Sequence, residues 1–369
     1  MDTEQITSSQ QGRDRADLHA RVRRATRWTT AGAVAAATGG LGALIAGLTG
    51  HGTTSSETYP SGSLTMGLPA AQVSLLLAAA AALVCAGLLA LGAIARAGGR
   101  QPARPGRSAA RAALVIGTPA VGVGALAAAC DANPLAFVGY LPAVLIGSLF
   151  SAQWREILAS IPAVELGSQL AVSGVAIVTV VATIHAVDAQ RGTASLPRWQ
   201  QPAAAARWGR TAVAVAVAVP LLYAATRIAW VLGFPLGFDV EAYEATGGEI
   251  NNGLILAGGA LVGSILTVGL VRPWGERFWA WLPGLGGRDV PVGLAVVPAS
   301  IVAALILPAG VSMIVAAVGR IGIASIGELA SNWAAIGVTF LWPVWSIALA
   351  VATWAYVLRR RAGATLPAA

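Results

Sequence analysis

Long apolar runs separated by short polar segments dominate this chain, and the alternation predicts a bundle of membrane-spanning helices. A helix that crosses roughly 30 Å of hydrocarbon needs about 20 apolar residues at 1.5 Å each. Eight runs come close to or exceed this length. They lie near residues 29–50, 70–95, 110–130, 168–187, 211–234, 253–271, 291–319 and 333–357.

Arginine placement orients these spans. The chain has 24 basic residues, all of them arginine, and cytosolic loops of membrane proteins carry the excess of basic residues. The arginine-rich stretches are the tail before the first span and the segments 96–111, 188–210, 272–288 and 359–361. The segments at 51–68 and 235–252 are poor in arginine and comparatively acidic. Both termini are therefore predicted to be cytosolic.

A ninth apolar run, at 136–151, is short and interrupted by Pro142. If it crossed the membrane, the basic segment 188–210 and every later loop would change sides. We therefore predict that 131–167 forms a re-entrant or interfacial excursion on the outer side, which includes the amphipathic stretch WREILASIPAVE. Irregular backbone at membrane depth is tolerated only where protein buries it or where it lines a wet cavity. This excursion is thus expected to line any pocket.

The predicted fold class is an all-α, polytopic helix bundle of about eight transmembrane helices plus this one segment. Residues 1–28 form a basic cytosolic tail, 29–358 the transmembrane domain and 359–369 a second cytosolic tail. The first tail carries Arg21, Arg23, Arg24 and Arg27. Two interpretations of it stay open, a basic helix lying on the inner leaflet and a disordered positive flank.

Composition supports the membrane assignment. With 56% hydrophobic and 11% charged residues, the chain cannot hide its apolar surface in one water-soluble core. The net charge of +8 does not indicate a nucleic-acid partner, because the arginines lie beside apolar spans and alternate with tryptophans, as at a membrane interface. The predicted partner is a bilayer with anionic head groups. The absence of lysine and the heavy use of Ala, Gly, Val and Arg favour an actinobacterial source and a bacterial plasma membrane.

Arg227 is the one arginine embedded in a predicted span away from its ends. A charge at the centre of a span costs roughly 2.5–3.5 kcal/mol on insertion scales, so such arginines usually pair or line a cavity. Helical spacing places Tyr223, Arg227 and Trp230 on one face. We expect this face to form a polar pocket for an anionic group, or for a carboxylate such as Asp131 or Glu165. The alternative is that Arg227 lies about 12 Å from the outer helix end and extends its guanidinium outward.

A second candidate pair is His185 and Asp188, at i and i+3 near the end of the fourth predicted span. A histidine beside a carboxylate can relay protons in an antiporter. Both residues fall at the expected cytosolic end, where such side chains commonly meet water, and this structural interpretation stays open.

Catalytic signatures are missing from the sequence. It contains no HExxH, GxSxG, CxxC or Asp-rich isoprenoid-type motif, and no cofactor or metal site is predicted. An enzymatic activity is therefore uncertain and disfavoured.

Three strings, ARWGR, LLYAATRIAW and RPWGERFW, lie between residues 195 and 300. In this region the chain resembles a group of uncharacterised actinobacterial multi-pass membrane proteins. The resemblance implies a polytopic membrane fold and no activity or ligand. The leading functional hypothesis is a small-molecule or ion permease, or a subunit of one. The alternatives are a membrane scaffold or signalling component that uses its basic tail and Arg/Trp-rich loops to bind a cytosolic or membrane partner, and an intramembrane lipid-modifying enzyme.

Overall fold

The computed structural model describes residues 3–50, 64–65, 67–97, 105–191, 197–245, 250–320 and 332–363. Helices make up most of these ranges, and the only β feature within them is an isolated bridge between Arg277 and Asp289. Eight described helices are long and apolar enough to cross a membrane. The all-α polytopic fold class is thereby confirmed. The predicted outer segment 51–68 and the last residues of the C-terminal tail lie largely outside the described residues.

The helices follow one another with short connections. In chain order they are α1 (Thr3–Leu48), α2 (Ala70–Ala97), α3 (Pro105–Ala129), α4 (Asn133–Phe150), α5 (Ala152–Ala159), α6 (Ala163–Gln190), α7 (Pro202–Val231), α8 (Val240–Ala245), α9 (Asn252–Gly269), α10 (Val292–Arg320), α11 (Trp333–Ile336) and α12 (Trp342–Gly363). Three short 3-10 turns lie at Arg198–Gln200, Pro273–Gly275 and Gly337–Leu341.

Two compact units divide the chain. The first comprises residues 1–55, 67–129 and 167–195, which hold α1, α2, α3 and nearly all of α6. Its core is built from small and branched residues, for example Ala36, Leu88 and Ala182. A Cβ atom added to Gly32 would lie 2.8 Å from Leu88 Cδ1. Glycine at such points lets membrane helices approach closely, where van der Waals contact rather than the hydrophobic effect holds them together.

Helix α1 begins well before the first apolar run. It covers 46 residues, about 69 Å at 1.5 Å per residue, which is more than twice the hydrocarbon thickness. The basic tail is therefore helical and continuous with the first span. A disordered flank does not describe the backbone from Thr3 onward. Whether the tail lies along the inner leaflet stays a prediction.

The second unit comprises residues 56–66, 130–166 and 196–369. Its core joins α7, α10 and α12 through Ala216, Ile306, Ala352 and Tyr356, each at most 1% exposed. Leu135 of α4 packs against the same core. A buried hydrogen bond from Ser346 Oγ on α12 to the carbonyl oxygen of Ala303 on α10 measures 2.7 Å. Interhelical hydrogen bonds of this kind contribute to packing where water is absent.

The predicted excursion, residues 131–167, contains helices α4 and α5 and the first turn of α6. Helix α4 has 18 residues with Pro142 inside it, about 27 Å in length, and it qualifies as a candidate span. The amphipathic α5 follows and folds back, since a Cβ on Gly147 would lie 2.6 Å from Trp154 Cγ. Helix α9 also has 18 residues. Its apolar stretch, Gly253–Gly269, is shorter than the eight candidate spans and is not one of them. The irregular backbone expected at 136–151 is absent from this described range, whereas its re-entrant placement stays a prediction.

The connection between α9 and α10, residues 270–291, is hydrogen-bonded to side chains at the end of α12; we call it the α9–α10 loop. Arg359 Nη1 donates to Glu276 Oε1 at 2.9 Å, and its Nη2 donates to the carbonyl oxygen of Leu270. Arg360 Nη2 donates to the carbonyl oxygen of Val290 at 2.8 Å. The Tyr356 hydroxyl donates to the Gly275 carbonyl oxygen at 2.9 Å. Side chains of α12 thus satisfy backbone carbonyls that the loop leaves open.

Candidate functional site

Helix α7 carries the central candidate residue. Its Ala/Val-rich sequence forms 30 helical residues that include Pro220, and Arg227 follows two turns after this proline. The side chain of Arg227 is half-buried, whereas Tyr223 and Trp230 are 9% and 7% exposed. The three residues share one helix face, on which Tyr223 and Trp230 are buried and Arg227 is partly exposed.

The guanidinium of Arg227 contacts aromatic rings of the turns before and after it. Its Cζ atom lies 4.2 Å from the ring centroid of Tyr223 and 4.2 Å from that of Trp230. Cation–π contacts at this distance contribute about 0.5–1 kcal/mol each in exposed positions and about 2 when water is excluded. Arg227 Nη1 also donates to Thr226 Oγ1 at 3.1 Å. All of these contacts lie within α7.

Other elements of the second unit complete the surroundings. The Tyr223 ring meets Trp342 of α12 edge-on, with centroids 5.9 Å apart. Trp230 stacks on Phe238 with centroids 4.2 Å apart, and its Nε1 donates to the carbonyl oxygen of Leu236 at 2.9 Å. The segment after α7 thereby fixes the Trp230 ring, and α12 fixes the Tyr223 ring.

Gly253 at the start of α9 adjoins the arginine side chain. A Cβ atom at this position would lie 3.5 Å from Arg227 Cδ, an ordinary van der Waals distance. The methylene stem of Arg227 therefore packs beside the first turn of α9, which leaves the charged head as the polar end of the site.

The predicted carboxylate partners do not pair with Arg227. Arg227 forms no ion pair with a described residue. Asp131 is 5% exposed and accepts hydrogen bonds from the backbone N–H of Asn133 at 2.8 Å and from its Nδ2 at 2.9 Å. A carboxylate that accepts from the backbone N–H two residues further on forms a local Asx-type turn, here directly before α4. Glu165 lies in the first turn of α6. The structure thus brings Tyr223, Arg227 and Trp230 together, while membership of Asp131 and Glu165 in the pocket stays a prediction.

An indole group beside Tyr223 is a feature that the sequence does not reveal. The Nε1 atom of Trp342, whose ring contacts Tyr223, is buried and has no acceptor among the described residues. Indole nitrogen can only donate, as can guanidinium. The Trp342 indole N–H is therefore a buried donor beside Tyr223 without a partner among the described residues, and a hydrogen-bond acceptor would satisfy it. No sequence signal links Trp342 to Arg227, because the two lie far apart along the chain.

The second predicted pair lies in the first unit and engages other residues. The His185 ring stacks on Trp28 of α1, with centroids 5.8 Å apart and planes inclined by 20°. Asp188 lies 4.0 Å from Arg191 Nη1, with both side chains about one quarter exposed. These contacts favour the structural interpretation of both residues at a helix end. A proton relay between them stays a prediction.

Metal-binding geometry is not seen in the described part of the chain, where no three His, Cys, Asp or Glu side chains cluster. Comparison of the chain with protein-family models, with curated proteins and with solved structures finds no match. The site itself must therefore carry any functional argument.

Proposed function

We propose that this membrane protein is a permease for a small anionic solute, or a subunit of one, and that Arg227 is the cation that binds the solute. The proposal places it in a bacterial plasma membrane. One observation carries it: a half-buried arginine inside an apolar helix contacts two aromatic rings and has no acidic partner among the described residues.

The energies of these contacts leave the positive charge of Arg227 without a counterion among the described residues. Two cation–π contacts return about 1–4 kcal/mol in total, which offsets the insertion cost of roughly 2.5–3.5 kcal/mol for an arginine in a span. They do not neutralise the charge. A bound anion would do so, and its attraction to a guanidinium is stronger at low local dielectric than in water.

The geometry also favours a particular mode of binding. The ring contacts of the Arg227 Cζ atom are not hydrogen bonds, so N–H groups of the guanidinium remain for a ligand. Thr226 accepts from Nη1. Planar, in-plane donors match the two oxygens of a carboxylate or the oxygens of a phosphate. A carboxylate or phosphate group is accordingly the expected anionic moiety.

Equilibrium binding of radiolabelled anions to the purified full-length protein tests the proposal. The panel contains acetate, pyruvate, succinate, glutamate and inorganic phosphate. We expect saturable binding of at least one compound, loss of at least tenfold in affinity for Arg227→Gln, and a smaller loss for Arg227→Lys, which keeps the charge without the fork of donors. Arg210→Gln on the same helix, where the side chain is exposed, is the control and should bind as the wild type does.

A scaffold or signalling role is the second candidate, and the α9–α10 loop favours it. Hydrogen bonds from side chains of α12 hold this loop in place. Its Trp279 and Trp281 side chains are 51% and 71% exposed, and their rings stack with centroids 5.6 Å apart. Exposed tryptophans beside arginines suit a lipid interface or a protein partner. Replacing both tryptophans with alanine should weaken membrane or partner binding under this hypothesis and leave anion binding unchanged.

A further inference from the structure

Helices α1, α2, α3 and α6 of the first unit line a partly open cavity of about 310 Å³. It is about twice as large as the ~150 Å³ apolar cavity that stays dry and binds benzene in a well-studied engineered protein. It also reaches the lower end of the ~300–1,000 Å³ range of ligand sites. Its lining side chains belong to Ala, Gly, Val and Leu, with Ser168 as the single polar residue.

The glycines of α1 serve two different purposes. Gly40 allows close contact, since a Cβ there would lie 2.8 Å from Ala81 Cβ. Gly39 and Gly42 line the cavity, and their added Cβ atoms would lie 3.9 Å from Val175 Cγ2 and more than 4 Å from any described neighbour, respectively. Glycine lowers helix stability relative to alanine. These two glycines therefore weaken α1 without a packing gain from the described protein atoms, and they keep a volume open.

We propose that this cavity binds one acyl chain of a membrane lipid. The lining offers no charged group to hold a polar ligand, and water needs two to four polar partners. All four helices are candidate membrane spans, so lipid hydrocarbon is the medium around them. Gly39 and Gly42 are exposed, which leaves one side open to an entering chain.

Dispersion contact provides the driving force. Lipid chains are as apolar as leucine, so moving one from bilayer to cavity gains little from the hydrophobic effect. An empty void, however, leaves its lining atoms without partners on one side, and a chain restores those contacts. Binding therefore depends on the free volume beside Gly39 and Gly42 and on its shape.

Photolabelling tests this site directly. The full-length protein is placed in bilayers that contain phosphatidylglycerol with a diazirine near the end of one acyl chain, irradiated, and mapped by mass spectrometry. We expect label to concentrate on residues 36–43 and 168–175. Gly42→Leu fills the cavity and should reduce this labelling at least fivefold. Gly124→Leu, at an exposed α3 position with no described neighbour within 4 Å of an added Cβ, should leave it unchanged.

Two results would overturn the proposal. One is even labelling over all lipid-facing helices, which means that the lipid is only part of the surrounding bilayer. The other is labelling at 36–43 that excess unlabelled phosphatidylglycerol fails to reduce in the wild type. The comparison of labelling between helices uses the wild type alone, so it remains decisive even if a leucine substitution impairs folding.

Discussion

The ion pair between Glu276 and Arg359 tests how the α9–α10 loop is held. Glu276→Gln removes the charge and keeps the shape of the side chain. Glu276 Oε1 lies 2.9 Å from Arg359 Nη1, and the side chains of Glu276 and Arg359 are 35% and 19% exposed, respectively. Breaking a fully buried pair costs about 3–5 kcal/mol, whereas an exposed pair contributes about 0–1. This pair is intermediate, and the bonds from Arg359 and Arg360 to backbone carbonyls persist. We expect a loss of about 1.5 kcal/mol, which is roughly tenfold in the opening equilibrium.

Hydrogen exchange measures this opening. The Phe278 N–H donates to the Arg288 carbonyl oxygen at 2.9 Å, and the Val290 N–H donates to that of Glu276 at 2.9 Å. Both amides exchange only when the loop opens, so Glu276→Gln should raise their rates about tenfold. Asp289→Asn is the control, because its pair with Arg277 is 3.5 Å long with both side chains over 70% exposed, and it should change the rates at most about twofold. Equal effects of the two variants, or no effect of Glu276→Gln, would show that the Glu276–Arg359 pair does not hold the α9–α10 loop closed.

Three further predictions concern packing and topology. Ser346→Ala removes the buried hydrogen bond to Ala303 and should lower stability by about 0.6 kcal/mol, the average for membrane interhelical bonds, measured by thermal unfolding in detergent; an unchanged midpoint contradicts it. Gly310→Ala should cost about 1–3 kcal/mol by overpacking, since the new Cβ would collide with the ring of Pro343 in α12. Gly258→Ala, with open space around it, should cost nothing in the same assay. Gln153→Cys should react with an impermeant maleimide from outside the cell; labelling from the cytosol would show that the predicted outer placement of 131–167 is wrong.

The fold class was predictable because span length is a local property of the sequence. Apolar runs of about 20 residues mark helices without any knowledge of their neighbours. The extent of α1 was less accessible, because polar residues that continue a helix beyond the membrane carry no apolar signal. The run containing Pro142 was expected to be irregular, yet α4 is helical through it. Nearby packing, such as Leu135 against the core of the second unit, is information that the run itself does not contain.

The candidate site likewise has a part that is local in the sequence and a part that depends on packing between helices. Tyr223, Arg227 and Trp230 were predictable as a group, because i−4 and i+3 spacing places them on one helical face. The contribution of Trp342 and Gly253 depends on how α12 and α9 pack against α7, which one sequence does not reveal. Asp131 was an attractive carboxylate by composition, but its hydrogen bonds to Asn133 are local contacts in the turn before α4.

Anion flux through the reconstituted protein tests the central proposal most directly. Proteoliposomes that contain the full-length chain are exposed to a gradient of the anion that binds best, and uptake is followed over time. The proposal predicts saturable uptake that Arg227→Gln reduces at least tenfold and that Arg210→Gln leaves unchanged. Uptake equal to that of protein-free liposomes, or equal uptake by wild type and Arg227→Gln, would contradict the assignment of Arg227 as the solute-binding cation of a permease.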